Sequence, residues 1–178
     1  MIAGVLGWSA VANGAVPVIH PAPDGVARCE RFRVWVDGAP TPVYRADVAA
    51  EQPFRHWPAP MERRPVGFVI FDMNAPVNVR VEVPGKAPAS ARIRPVSRRM
   101  AASLDGRVVT FRMPRPDNLV LELNHDVYDH LYVFANAPET GRPEPDDPDV
   151  IYFGPGLHDA GRIDMERDGQ SVYLAGGA

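Results

Sequence analysis

The sequence predicts an all-β protein: an antiparallel β-sandwich followed by the first coil of a parallel β-solenoid. Three observations carry that expectation. Period-two alternation of apolar and polar residues recurs along the chain, while helical spacing is nearly absent. Twenty of the 178 residues are proline, about twice the roughly 5% of average proteins, and proline breaks helices and central strands alike. The last stretch, Val150 to Ala178, holds three very short apolar runs parted by glycine turns, the pattern of a solenoid coil.

The elements follow in order. Residues 1–15 are apolar, and Ala10-Val11-Ala12 has the small residues of a signal-peptidase site. The stretch is short and lacks the basic start of a signal peptide, so a first strand or a misplaced start codon is the leading reading. The sandwich is expected over residues 16–138. Phe32, Val34 and Val36 share one strand face, ending at a turn at Asp37-Gly38. Val77 to Val83 alternates without a fault and stops at Pro84-Gly85; Leu119, Leu121 and Leu123 share a third such face. These strands should have one buried and one wet side. Val66–Phe71 and Leu131–Ala135 are continuously apolar and should be covered on both sides. Weaker strands are expected at Pro42–Asp47, Ala91–Val96 and Arg107–Met113, the last entered through the hairpin signal Asp105-Gly106. Strand spacing of about 8–12 residues with polar turns completes the sandwich pattern.

Residues 139–149 hold three prolines and five acids, a stiff, solvated linker. Beyond it lie Val150–Phe153, Arg162–Met165 and Ser171–Ala175, each expected as a short strand of one coil over residues 150–178. A coil buries its inner face only against a stacked neighbour. The expectation is therefore a truncated solenoid, with further coils missing after Gly176-Gly177-Ala178.

Bulk properties exclude several classes. The chain is 46% apolar and 23% charged, which is globular rather than disordered. The net charge is −3 with basic residues dispersed, so no nucleic-acid partner is expected. No apolar stretch is long enough to span a membrane. Cys29 is the single cysteine, which excludes an internal disulfide and points to a buried, small apolar role.

The run Asp149-Val-Ile-Tyr-Phe-Gly-Pro-Gly-Leu-His158, then Gly161, then Asp168-Gly-Gln-Ser-Val-Tyr-Leu-Ala-Gly-Gly177 resembles the opening of the right-handed parallel β-helix in bacterial polygalacturonase-type glycoside hydrolases. Dextranase-type glycosidases, with a β-sandwich in front of a β-helix, are similar. Ile93-Arg-Pro95, the Asp105-Gly106 hairpin and Leu131–Asn136 before the linker resemble the accessory sandwich of those enzymes. The resemblance implies glycosidic bond hydrolysis by flanking carboxylates, one protonating the leaving oxygen and another activating water. The Asn-Thr-Asp, Asp-Asp and Gly-His-Gly motifs of the catalytic coils do not carry over. Asp146-Asp147 lies in the Pro-rich linker, and Arg92-Ile-Arg94 ends in Arg rather than Lys. No catalytic residue is assigned to this chain, and no cofactor.

Other candidates each have a plainer reading. Trp35, opposite Phe32, Val34 and Val36, and Trp57, in a loop beside Phe54 and His56, are the candidate carbohydrate-binding residues; the plainer reading makes them contacts to a neighbouring domain. Arg92, Arg94, Arg98 and Arg99 suit an acidic polysaccharide or, more simply, a charged outer face. Asn124-His125-Asp126 with Asp129 and His130 reads as a polar loop before a metal cluster, because nothing fixes the histidines at ligand spacing. Asp146, Asp147 and Asp149 lack the spacing of a calcium loop. His158-Asp159 suits turn capping.

These residues together predict a noncatalytic N-terminal accessory domain that caps a downstream β-helix catalytic domain, in a glycoside hydrolase acting on polysaccharide outside the cytoplasm. The alternative is a stand-alone carbohydrate-binding or structural sandwich. A contiguous apolar patch formed by Ile151, Phe153, Ile163, Val172 and Leu174 would favour the first reading.

Overall fold

The computed structural model describes residues 17–49, 63–126 and 128–178. The N-terminal strand or signal expected at 1–15 lies outside them. Among the described residues there are twelve strands and one short 3-10 turn, with no α-helix. The strands are β1 (Arg33–Val36), β2 (Ala39–Thr41), β3 (Tyr44–Ala49), β4 (Arg63–Asp72), β5 (Val77–Glu82), β6 (Ala91–Arg94), β7 (Ser103–Asp105), β8 (Val108–Met113), β9 (Asp117–Leu123), β10 (His130–Asn136), β11 (Val150–Phe153) and β12 (Ser171–Leu174).

β1–β10 form two five-stranded sheets, in the orders β2-β1-β5-β8-β7 and β3-β4-β10-β9-β6. Their apolar faces meet in one core. Val34, Val36, Val77, Val79, Val81, Val109, Phe111 and Met113 come from the first sheet, and Val69, Phe71, Leu119, Leu121, Leu123, Leu131 and Val133 from the second. The alternation read in the sequence is thus the pleat of the sheet, every second residue facing inward. Asp37 and Gly38 both adopt positive φ, 44° and 81°, and close the β1–β2 hairpin with Val36 opposite Ala39, as a two-residue hairpin turn requires. The Asp37 side chain accepts the Asn78 backbone N–H at 2.8 Å, tying that turn to β5. Asp105 lies opposite Val108, so the Asp105-Gly106 signal also closes a tight hairpin.

Several expectations need correction. The second sheet is mixed, because β10 runs parallel to β4 from Leu131 opposite Gly67 to Asn136 opposite Asp72. The chain between those strands passes through the other sheet, so no hairpin forces them antiparallel. Double-sided cover of β4 and β10 is incomplete. Val66 is buried on the outer face, but Ile70 is 38% exposed, and Phe68, Tyr132 and Phe134 are half-buried. These rings join Tyr44 in an outer aromatic row, with Tyr44 stacked on Phe68 at 5.2 Å and Tyr132 parallel to Phe134 at 6.0 Å. Cys29 is half-buried and packs at the margin of the core rather than within it.

The C-terminal stretch differs in detail too. β11 and β12 are neighbours in a parallel pair, with Val150 opposite Ser171 and Phe153 opposite Leu174. Each partner lies 21 residues further on, so residues 150–170 make one full coil and β12 begins a second. Arg162–Met165 is not a strand and is exposed throughout. It has no neighbouring ladder, and Arg162 bonds Asp164 two residues away at 2.8 Å. Tyr152 and Tyr173 lie over one another at 5.1 Å, a side-chain stack that repeats with the coil.

On the outer face of the second sheet, Arg94 donates two hydrogen bonds of 3.0 Å to Glu122. The Arg94 bond holds the Glu122 carboxyl below its ordinary value of 4.5, partly offset by burial. A lowered folded-state value stabilises the fold above the unfolded value, and that contribution is lost as pH falls through the folded one. Glu122→Gln should therefore leave a shallower loss of thermal stability between about pH 5 and pH 3 than the native chain shows. Identical slopes would remove Glu122 from the acid response. Phe71→Ala, at a fully buried ring, should cost about 3–5 kcal/mol in urea unfolding; a cost under about 1 kcal/mol would mean the two sheets do not share this core.

Candidate functional site

The site grows from the end of β4. Val18 and Asp72 exchange two backbone hydrogen bonds, of 2.9 and 3.0 Å, so the segment before β1 is pinned beside the sheet. That brings the His20 side chain over Asp72, with Nε2 lying 3.0 Å from Oδ2. Both side chains are about four-fifths buried, at 18% and 19% exposure. The other side of the imidazole meets Gly176. A Cβ added there would sit 2.6 Å from Nδ1, so a residue with a side chain cannot occupy the position unless the ring moves. Gly177 follows with φ of 89°, and its carbonyl accepts the Gly156 N–H at 2.8 Å. The two glycines at the same corner of successive coils thus bond to each other.

Three further contacts fasten the coil. The Tyr173 hydroxyl donates to the Glu139 carboxylate, and this bond pushes the tyrosine pKa above its ordinary value of 10.0. Arg167 donates to Asp149 at 2.9 Å and to the Pro148 carbonyl. The Pro-rich segment, expected as a stiff, solvated linker, is tied to the coil at Glu139 and again at Pro148-Asp149.

Between coil and sandwich lies a groove of about 530 Å³. Its floor is the outer aromatic row at Tyr44 and Phe68, with Ile70 beside it. Leu157, Leu174 and the Gly176–Ala178 backbone form a wall. The rim carries His20, Asp72, Asn136, Glu139 and Arg142. An apolar floor with a few polar groups at the edge is the usual composition of a small-molecule site. Both rim carboxylates are already committed, Asp72 to His20 and Glu139 to Tyr173.

The candidate binding, catalytic and metal residues from the sequence that are described fall elsewhere. Trp35 is half-buried on the outer face of the first sheet, across the sandwich from the groove, with the Arg80 guanidinium 4.5 Å above its ring. Trp57 lies outside the described residues. Arg94 pairs with Glu122 and Arg98 with Asp117, and Arg92 and Arg99 are exposed. Asn124 and His125 make a turn of positive φ. Asp129 there accepts two hydrogen bonds of 2.8 Å from Arg31 and one of 3.0 Å from the Asn124 amide N–H. His130 is buried, and its Nε2 has no hydrogen-bond partner. Asp147 accepts the Asp149 N–H at 2.9 Å, a local turn. His158 Nε2 lies 2.6 Å from the Gly154 carbonyl and closes the Gly-Pro-Gly corner. Among the described residues no group of three or more His, Cys, Asp and Glu is arranged to hold a metal ion. Sequence reasoning missed His20, Asp72, Tyr44 and Phe68. The one signal available was the recurrence of Tyr and of Gly 21 residues apart, at 152/173 and 156/177.

Gly176→Val should displace the His20 ring and loosen the coil by about 1–3 kcal/mol. Hydrogen exchange should then speed up at the ladder amides of β12 while the core strands β5 and β9 keep their protection. Unchanged exchange in β12 would mean the coil does not depend on this contact.

No known family profile matches the sequence, and no curated protein matches it. Among solved structures, the chain is similar to Dex49A from Penicillium minioluteum, with a TM-score of 0.58 and 15% identity over 90% of this chain and 43% of that one. The chain spans less than half the length of that structure. At this identity the likeness shows the fold: a β-sandwich that runs into the start of a parallel β-solenoid.

Proposed function

We propose that this chain is the noncatalytic N-terminal accessory region of a polysaccharide-degrading glycoside hydrolase, capping a β-helix whose later coils carry the catalytic carboxylates. The observation that carries this reading is the parallel β11–β12 ladder set directly against the sandwich. A solenoid coil has no independent core and is stable only when its two ends are covered. Here the sandwich covers one end. Elsewhere on the coil Val172 is 42% exposed and Ile163 38%, leaving apolar surface of the kind a following coil would bury.

The dextranase-type resemblance in the sequence and the fold likeness to the dextranase Dex49A point the same way. Both set a sandwich before the helix, which favours a dextranase-type over a polygalacturonase-type parent. The rim carboxylates give no second argument for catalysis here, because both are engaged by partners. A stand-alone carbohydrate-binding sandwich is the second reading, favoured by the outward, half-exposed position of Trp35.

Purified protein of these 178 residues should release no reducing sugar from dextran or polygalacturonate, whereas a protein expressed from a reading frame continued past codon 178 should hydrolyse one of them. Turnover by the 178-residue chain would overturn the noncatalytic assignment. A reading frame without further glycine-rich coils would overturn the accessory role and leave the stand-alone reading.

A further inference from the structure

We propose that residues 1–16 of this same chain turn back at Asn13-Gly14 and seat their apolar side chains in the groove between sandwich and coil. The inference goes beyond the accessory role and does not depend on it. It concerns how these 178 residues pack together under either functional reading.

The groove suits an occupant that brings aliphatic side chains and no charge. Ile70 is 38% exposed, Leu157 70% and Leu174 68%, and all three line its volume of about 530 Å³. Exposed apolar side chains gathered in one place mark a surface that something covers. The polar groups around them already satisfy one another. Asp72 bonds His20, and Glu139 accepts from Tyr173 and lies 4.0 Å from Arg142. The aromatic floor is closed too, with Tyr44 stacked on Phe68 and the Arg28 guanidinium 5.4 Å from the Tyr44 ring centre. A charged or hydrogen-bonding occupant would have to break these pairs, whereas aliphatic side chains leave them intact.

The N-terminal segment has the matching chemistry. It carries no Asp, Glu, Lys, Arg or His, and Ile2, Val5, Leu6, Trp8, Val11 and Val16 are among its apolar side chains. Burying such a segment gains hydrophobic free energy and strips water from no side-chain charge.

The segment also starts in the right place. Val18 exchanges backbone hydrogen bonds with Asp72, a residue of the groove rim. Residues directly opposite across a ladder face the same side, and Val18 is exposed there. The segment therefore meets the sandwich at the edge of the face that floors the groove. The Val18–Asp72 bridge is antiparallel, so the chain read backwards from Val18 heads past the end of β4. A straight continuation would leave the groove. Asn13-Gly14 is a strong short-range turn signal, and it lies close before Val18. Reversal at that point sends Ala12 to Met1 back over the face. Twelve extended residues reach about 40 Å, enough to cross a cavity of this volume. Tethering at the rim also gives the segment an effective concentration of about millimolar, which a second copy or another partner must exceed.

The test uses the full 178-residue protein with Trp35→Phe and Trp57→Phe, which leaves Trp8 as the single tryptophan. Trp8 emission should be blue-shifted, and less quenched by acrylamide, than in the urea-unfolded chain. Leu174→Asp and, separately, Ile70→Arg should return both readings to those of the unfolded chain. Val172→Asp, on the coil but outside the groove, should not. Unfolded-like emission before any groove substitution would overturn the proposal, as would a shielded Trp8 that neither groove variant moves. A benzophenone side chain in place of Leu174 gives a second readout that does not depend on how the charged variants fold. On irradiation it should join a peptide within residues 1–16 of the same chain. Cross-linked dimers would assign the groove to a second copy, and a cross-link to any other segment would assign it to that segment. Either result sinks the N-terminal occupant. So does protein from its own host whose first residue lies beyond Ala12. None of these outcomes bears on the accessory role, which stands or falls with the coils encoded further on.

Discussion

The imidazole of His20 is the contact on which the rest of the arrangement turns. Asp72 holds it from the sheet and Gly176 meets it from the coil, so one ring joins three segments that are far apart in sequence. Neither neighbour can be exchanged freely. The carboxylate orients the ring through a hydrogen bond, and the glycine leaves the only space in which the ring fits. Such a joint has little area, and its strength is geometric. The coil is set at a fixed place because the ring admits one close approach and no side chain between.

The fold and its site were legible to different degrees, for physical reasons. Strands with one wet face declare themselves: Val77–Val83 and Leu119–Leu123 alternate because each has one neighbour of oil and one of water. Asp37-Gly38 and Asp105-Gly106 declare themselves because few residues accept positive φ. The parallel β4–β10 pairing was hidden, since register between strands so distant in sequence leaves no local mark. Continuous apolarity in those two strands was a true signal misread. On the second face Phe68 and Ile70 of β4 line the groove, while Tyr132 and Phe134 of β10 are half-buried in the aromatic row beside it. In the coil, Gly154-Pro155-Gly156 reads as a turn in the sequence, but its pairing with the Gly176-Gly177 corner shows only in the 21-residue spacing. Arg162–Met165 was misread because a short apolar alternation has no strand character without a ladder beside it.

Groove residues were the least legible. His20, Asp72, Tyr44 and Phe68 carry no motif, and only Asp72 and Phe68, both on β4, share a local segment. Their meeting depends on the Val18–Asp72 bridge and on the docking of the coil, both of which are tertiary. Trp35 drew attention by residue type, yet its ring is capped by Arg80 and stands on the far sheet. Large aromatics mark surfaces that bind something, but the sequence does not say which of them keeps an open approach.

The stacked pairs Tyr152–Tyr173 and Gly156–Gly177 give the coil a property that a sandwich lacks. Each new turn lays the same backbone and the same ring positions over the turn before it, so growth adds one interface at a time. Such a row has a costly first step, because its opening turn has nothing beneath it. In this molecule that step is supplied by the sandwich, which is made first during synthesis and folds around its own core. His20 and Gly176 fix the phase of the corner that Gly156 and Gly177 share. The sandwich holds the two turns it touches in one register.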